Sequence, residues 1–228
     1  MRRQPPIRVY DRHAGRTVSE SLIYRSPRIY DAVMHVLYGR HARARLGAVA
    51  ELVPPRASVV ELCCGSARLY RNHLRDRDVD YLGLDLNPRF VEAARRGGAC
   101  AVVRDVGDGA PLPPADVVLI QASLYHFLPA PERIVDRMLA AARSRVIVSE
   151  PVRNLSTSGV GFVAALARRS ADPGGGGGDR RFDEASLDAF MRRYDGAVER
   201  EFAIPGGRDK VYVLDAATAG AAALEVEA

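Results

Sequence analysis

Between residues 57 and 150, short valine-rich runs alternate with amphipathic segments in a regular rhythm. The runs are "ASVVELC" (57–63), "VDYLGLD" (79–85), "GACAVVRD" (98–105), "ADVVLIQA" (115–122) and "SRVIVSE" (144–150), and their apolar residues sit at successive positions. A strand with one wet face alternates polar and apolar residues. A strand covered on both faces does not, so these runs predict a parallel sheet between layers of helix. The intervening helices are "SARLYRNHLRD" (66–76), "PRFVEAARR" (88–96) with Pro88 in its first turn, and "APERIVDRMLAAA" (130–142). After Glu150 the rhythm breaks. It resumes with a helix capped by Asp183 and two strands, 196–204 and 209–216, joined by "PGGR" as a hairpin. The expected class is α/β: an open, doubly wound, seven-stranded sheet, mostly parallel, with an antiparallel strand at its C-terminal end.

In such a sheet the ligand crevice lies at the carboxyl ends of the strands, where the first strand turns into the first helix. That place is "VVELCCGSARLY", residues 59–70. A dinucleotide loop of the form G-x-G-x-x-G needs a third small residue, but the third position is Arg68 counting from Cys63 and Tyr70 counting from Gly65, and both are too large. A phosphate-binding loop needs Gly-Lys-Ser/Thr after the turn, and Lys210 is the chain's lone lysine. The three cysteines, Cys63, Cys64 and Cys100, offer neither a disulfide framework nor the paired spacing of a zinc site. Cys63 and Cys64 therefore read as small residues that fill tight space, and no metal is expected.

A different pattern fits the turn. "ELCCGSA" resembles the acidic-x-Gly-x-Gly-x-Gly loop of class I S-adenosylmethionine-dependent methyltransferases, with Glu61 in the acidic place and Gly65 as the central glycine. Cys63 and Ala67 stand where the outer two glycines would be; each stays small but gives up the glycine's freedom to adopt positive φ. Asp85 closes the second strand in "YLGLDLNPRF", at the spacing where an acidic residue grips ribose hydroxyls. The resemblance implies that role for Asp85, an adenine-flanking role for Leu86, and acceptance from the adenine amino group by Asp105, with Val106 beside it. Gln121 ends the fourth strand and opens a stretch, residues 121–127, that resembles the family's segment facing the transferred methyl. The resemblance covers residues 57–150 and the closing hairpin. It implies a Rossmann-like methyltransferase fold with S-adenosylmethionine as cofactor, held by Glu61, Cys63, Gly65, Ala67, Asp85, Leu86, Asp105, Val106 and Gln121.

Methyl transfer is an in-line displacement, so alignment and exclusion of water matter most, and a base helps where the acceptor must lose a proton. "QASLYHF" supplies His126 as the candidate base and Tyr125 beside it as the second catalytic candidate. Glu150, at the end of the fifth strand, either faces the crevice or caps the loop that follows. Enzymes of that family that methylate the amino groups of bases or glutamine usually carry Asn/Asp-Pro-Pro-Tyr/Phe where this chain has residues 121–124, which points away from those acceptors. The expected acceptor is an oxygen or nitrogen of a small metabolite.

The formal charge of +5 is spread along the chain, so a nucleic-acid substrate is a minor alternative. A protein that binds the cofactor without moving a methyl, as a pericyclic or isomerising catalyst or a partner subunit, is the other. Residues 1–55 are expected to form an arm and helices over the site, with Tyr30 or Tyr38 closing on the cofactor. Residues 56–216 are expected to form the cofactor-binding domain, with a mobile insertion at 151–182 that carries five consecutive glycines at 174–178, and residues 217–228 a flexible tail. No apolar run reaches membrane-spanning length and no signal-type segment follows the N-terminus, so a cytoplasmic location is expected, with a homodimer compatible with all of this.

Overall fold

The computed structural model describes residues 26, 27, 32, 41–153, 181–206 and 208–219. The expectations for Tyr30, Tyr38, the glycine run and the last residues of the tail lie outside this set.

Seven strands form one sheet: β1 (Ser58–Leu62), β2 (Asp80–Asp85), β3 (Ala101–Val103), β4 (Ala115–Gln121), β5 (Ala142–Pro151), β6 (Val198–Ala203) and β7 (Asp209–Asp215). Their order is β3-β2-β1-β4-β5-β7-β6. The first five run parallel, while β7 pairs antiparallel with both β5 and β6. The α/β class and the sheet read from the sequence are therefore correct, including the closing antiparallel hairpin. The third strand is shorter than its apolar run because it is an edge strand with only β2 to pair with.

Among the described residues, helices α1 (His41–Ala50), α2 (Pro88–Arg96), α3 (Glu132–Ala141) and α4 (Glu184–Met191) pack on the sheet. Two are capped as their sequences dictate. The Asn87 side chain accepts the Arg89 N–H at the start of α2, and Asp183 and Ser186 cap each other's backbone at the start of α4. The segment after β1 is less regular than a plain α-helix, since Tyr70–Leu74 forms a π-helical turn.

The parity of the strands explains their unbroken apolar runs. Val60, Leu62, Val118, Ile120, Val146 and Val148 join Ile134, Met138, Leu187 and Met191 in one core layer. Val59, Val117, Leu119, Ile147, Val211 and Val213 join Leu46, Val49, Leu74 and Val91 in the other. Burial of a side chain of this kind contributes about 1.5–3 kcal/mol, and here both faces of every central strand collect it. Residues of α1 belong to the second layer, and the buried pair Arg45–Asp209 (2.8 Å) ties α1 to the start of β7. This part of residues 1–55 is thus built into the core. At the other end, Asp215 accepts the backbone N–H groups of Ala217 and Thr218, and Ala219 rests against the first core layer.

Candidate active site

The turn after β1 holds three positive φ angles: Cys63 (+52°), Gly65 (+55°) and Ala67 (+54°). Only one of the three is glycine. The expectation that Cys63 and Ala67 forgo this conformation is corrected: both adopt it, each at about 1–2 kcal/mol for an L-residue. Hydrogen bonds from three directions hold the bend. The Cys64 N–H donates to Leu84 O (3.1 Å), the Ala67 N–H to Cys64 O (2.9 Å), and the Gly65 N–H to Asp85 Oδ2 (2.8 Å). The other carboxylate oxygen of Asp85 accepts the Asn87 N–H at 2.8 Å. Burial raises the Asp85 pKa above its ordinary value, and these two backbone donors oppose the rise.

Glu61 falls on the same face of the sheet as Val59, beside β2. In the parallel register Val59 is opposite Tyr81 and Glu61 is opposite Gly83. Tyr81 Oη donates to Glu61 Oε2 at 2.6 Å, and Gln121 Nε2 donates to Oε1 at 2.9 Å. Burial lifts the Glu61 pKa to about 7 against the pull of these bonds. Gly83 makes the arrangement sterically possible, because a Cβ there would stand 2.6 Å from Cys64 Sγ and 3.1 Å from Tyr81 Oη. Cys64 therefore fills the space that Gly83 vacates. Tyr81 and Gly83 were not among the sequence-derived site residues; the alignment of two "Φ-Φ-x" runs in parallel register is the signal that would have found them.

At the end of β4, Gln121 is fixed through its amide nitrogen, and its Oε1 is buried with no partner among the described residues. Ala122 follows with φ +49°. The expectation that Glu150 faces the crevice or caps the loop that follows it is corrected: its Oε1 accepts the N–H groups of both Ser123 and Leu124 at 2.6 Å and so caps the turn Leu124–Phe127 after the neighbouring strand β4. The side chain is 1% exposed, and burial lifts its pKa to about 7.

That turn presents Tyr125 and His126, whose ring centroids are 4.0 Å apart. His126 reaches solvent, yet the protein around it and the Arg181 guanidinium lower its pKa to about 4. The Arg181 guanidinium carbon lies 4.2 Å from the Tyr125 ring centroid. On the β2 and β3 side, Leu86 is 65% exposed, and Asp105 is exposed with its Oδ1 accepting the Gly107 N–H. Val106 is buried in the first core layer, with its carbonyl held by Arg137.

Asp85, Glu150, Asp105 and Glu61 all lie within electrostatic reach of the Cys63 thiol, and together with burial they push it up. Asp85 and Asp105 favour a cation over a pyrophosphate here, while Glu61 and Glu150, lifted to about 7, are only partly ionised at neutral pH. Among the described residues no cluster of three or more His, Cys, Asp or Glu side chains could hold a metal ion, and no helix is long and apolar enough to cross a membrane.

This sheet order, with its glycine-containing bend after β1 and its antiparallel closing hairpin, is the class I S-adenosylmethionine-dependent methyltransferase fold. No family model matches the chain, and no curated protein matches it in sequence. Solved structures do match. A SAM-dependent methyltransferase from Thermotoga maritima, described as a possible histamine N-methyltransferase, superposes with a TM-score of 0.62 at 17% identity, over 85% of this chain and 97% of that one. Magnesium protoporphyrin IX methyltransferase from Synechocystis PCC 6803, solved with bound SAH, gives 0.56 at 13% identity over 82% and 94%. A protein described as a putative methyltransferase, solved in complex with the Haloferax volcanii methyltransferase activator Trm112, gives 0.58 at 16% identity over 82% and 97%. At these identities the likeness establishes the fold, and the chemistry must be argued from this chain's own residues.

Proposed function

We propose that the protein is an S-adenosylmethionine-dependent methyltransferase that methylates an oxygen or nitrogen of a small molecule. The observation that carries this reading is Asp85, which closes β2 with its carboxylate bonded to the Gly65 N–H of the bend after β1; with Asp105 on the same side it suits a sulfonium cofactor and opposes the phosphates of a nicotinamide dinucleotide. The cofactor supplies, when bound, an electrophilic methyl group on a positively charged sulfur.

The chain's own residues divide the remaining work. Asp85 would accept from the ribose hydroxyls; each of its oxygens already takes one backbone N–H and retains a further lone pair. Exposed Leu86 would cover the adenine, and Asp105 would accept from its amino group, with Val106 shaping the loop from within the core. Glu61 and the unpartnered Gln121 Oε1 would meet the ammonium group of the amino-acid end, where a positive charge also favours the ionised form of a carboxylate whose pKa stands near 7. Cys63, Gly65 and Ala67 keep the bend thin enough for close approach. With its pKa near 4, His126 is neutral at pH 7 and well suited to accept a hydrogen bond from the acceptor; as a proton base it is weak, so His126 and Tyr125 act mainly by positioning.

Likeness to small-molecule methyltransferases such as the Synechocystis enzyme supports the acceptor class, as does the lack of the Asn/Asp-Pro-Pro-Tyr/Phe stretch at residues 121–124. Calorimetric titration with S-adenosylmethionine, S-adenosylhomocysteine and NADH tests the cofactor. Heat and a raised melting temperature with the first two and neither with NADH is the expected result; the opposite pattern overturns the reading. Accumulation of S-adenosylhomocysteine in the presence of acceptors then separates methyl transfer from binding alone.

A further inference from the structure

Three polar side chains cross the sheet in a row at the carboxyl ends of β2, β1 and β4. Tyr81 is opposite Val59, and Glu61 is opposite both Gly83 and Leu119, so Tyr81, Glu61 and Gln121 fall on one face of three adjacent strands. The Tyr81 ring packs 4.8 Å from the Tyr70 ring, and the missing side chain of Gly83 leaves its phenol room to reach Glu61. Tyr81 and Glu61 are both buried.

The row has a direction, set by which groups can donate. Tyr81 Oη donates to Glu61 Oε2 and Gln121 Nε2 donates to Glu61 Oε1, so each carboxylate oxygen is held by one donor. Because an ionised carboxylate only accepts, it takes the nitrogen end of the Gln121 amide and leaves the oxygen end turned away, buried with no partner among the described residues. A protonated Glu61 also offers a donor, and either end of the amide then satisfies it. The state of Glu61 thus decides whether Gln121 presents an acceptor or a donor. Burial works toward the neutral carboxyl, helped by the charge of Asp85 at the end of β2; the Tyr81 hydroxyl is the strongest of the groups that oppose it, followed by Gln121 and the Arg45 guanidinium on α1. The thiols of the bend, Cys63 and Cys64, also face Glu61 and are pushed up by burial, so they carry no charge at neutral pH.

We propose that Tyr81 is a positioning residue: its hydroxyl keeps Glu61 an acceptor, and Glu61 in turn keeps the Gln121 oxygen outward, so that the end of β4 selects a cationic amine over an uncharged group of similar shape. The amine is the ammonium of the cofactor, and for that ligand the proposal rests on the methyltransferase reading; the hold of Tyr81 on Glu61 stands on the protein alone.

Two measurements on the full chain test it. Calorimetry compares S-adenosylhomocysteine with its desamino analogue, in which hydrogen replaces the ammonium, for wild type, Y81F and E61Q between pH 6 and pH 8. Wild type should prefer the amine by about tenfold or more at pH 8, the scale of a hydrogen bond to a charged group, and the preference should shrink as the pH falls. Y81F should lose the preference at pH 7 and regain part of it at pH 8, while its affinity for the desamino analogue stays close to wild type. E61Q should show a small preference that does not vary with pH. The second measurement, NMR of the carbon-labelled Glu61 carboxyl without ligand, should find its titration midpoint higher in Y81F than in wild type. A hydroxyl that only fills the core would weaken both ligands alike. An equal loss of both ligands or an unchanged preference in Y81F, a wild-type preference that is flat across the range, or an unmoved Glu61 midpoint overturns the proposal. If neither ligand binds wild type while the midpoint still rises in Y81F, the methyltransferase reading falls and the hold of Tyr81 on Glu61 remains.

Discussion

Asp85 Oδ2 accepts the backbone N–H of Gly65 at 2.8 Å, so the carboxylate that closes β2 also shapes the bend that follows β1. One residue therefore serves fold and ligand together. D85N keeps the volume but turns one oxygen into a donor and removes the charge. The expected outcome is a loss of S-adenosylhomocysteine affinity of about ten- to a hundredfold by calorimetry, the scale of hydrogen bonds to a charged group. D85A should additionally lower the melting temperature, because it leaves the Gly65 N–H without its acceptor.

The three positive φ angles make a second prediction. C63G relieves a left-handed L-residue but gains chain entropy in the unfolded state, and two terms of about 1 kcal/mol nearly cancel. C63V places a β-branched side chain in a region it rarely enters and should destabilise the protein by about 2 kcal/mol or more in urea unfolding. For cofactor binding, C63A should leave affinity largely intact while C63L impairs it, because the larger side chain fills the bend. Equal affinities for C63A and C63L would remove Cys63 from the cofactor's surroundings.

The sheet and the strand-end positions of the candidate site were legible in the sequence. Glu61, Gly65, Asp85 and Asp105 could be singled out as candidates because strand ends and glycine turns leave marks in a sequence, and the unbroken runs around Val59, Val118 and Ile147 announced a sheet buried on both faces. Tyr81 escaped notice because its task depends on register: only when β2 lies parallel to β1 does its hydroxyl meet Glu61. The same is true of Gly83, whose missing side chain makes room for Cys64. Arg181 lies 60 positions from Gln121 in sequence, and nothing local distinguishes it from the chain's other arginines; only the tertiary landing of its segment on Tyr125 does so. The positive φ of Cys63 and Ala67 was misjudged for a related reason, since a residue's preference is local while the bonds that override it come from β2.

Stability should depend on pH through Glu61 and Glu150. Both carboxyls have folded-state pKa values raised from about 4.5 to about 7. The folded protein therefore binds more protons than the unfolded chain between these limits, and stability is highest below about pH 4.5 for this term and is lost as the pH rises through 7. E150Q keeps an oxygen for the N–H groups of Ser123 and Leu124 and removes the charge. Its melting temperature relative to wild type should rise between pH 5 and pH 8. Y81F takes the hydroxyl from Glu61 Oε2 and should show the opposite trend, costing about 1–3 kcal/mol where the carboxylate is ionised and less where it is protonated. Parallel curves for wild type and both variants across this range would mean that neither carboxyl is coupled to folding in this way.

His126 gives the last prediction, and it separates positioning from base catalysis. A free imidazole titrates near 6.5, whereas the surroundings of His126 lower it to about 4, so its protonation does not change between pH 5.5 and 8. With cofactor and acceptor saturating, kcat should therefore show no inflection near 6.5 that H126A removes. H126A should raise KM for the acceptor more than it lowers kcat, and H126N, which can still accept a hydrogen bond through its amide oxygen, should restore part of the loss. A base would behave otherwise. Its removal would lower kcat by about 10² to 10⁴, Asn would not rescue it, and the deficit would shrink at high pH as the acceptor ionises unaided. The split between KM and kcat in H126A, read beside the H126N rescue, decides between the two.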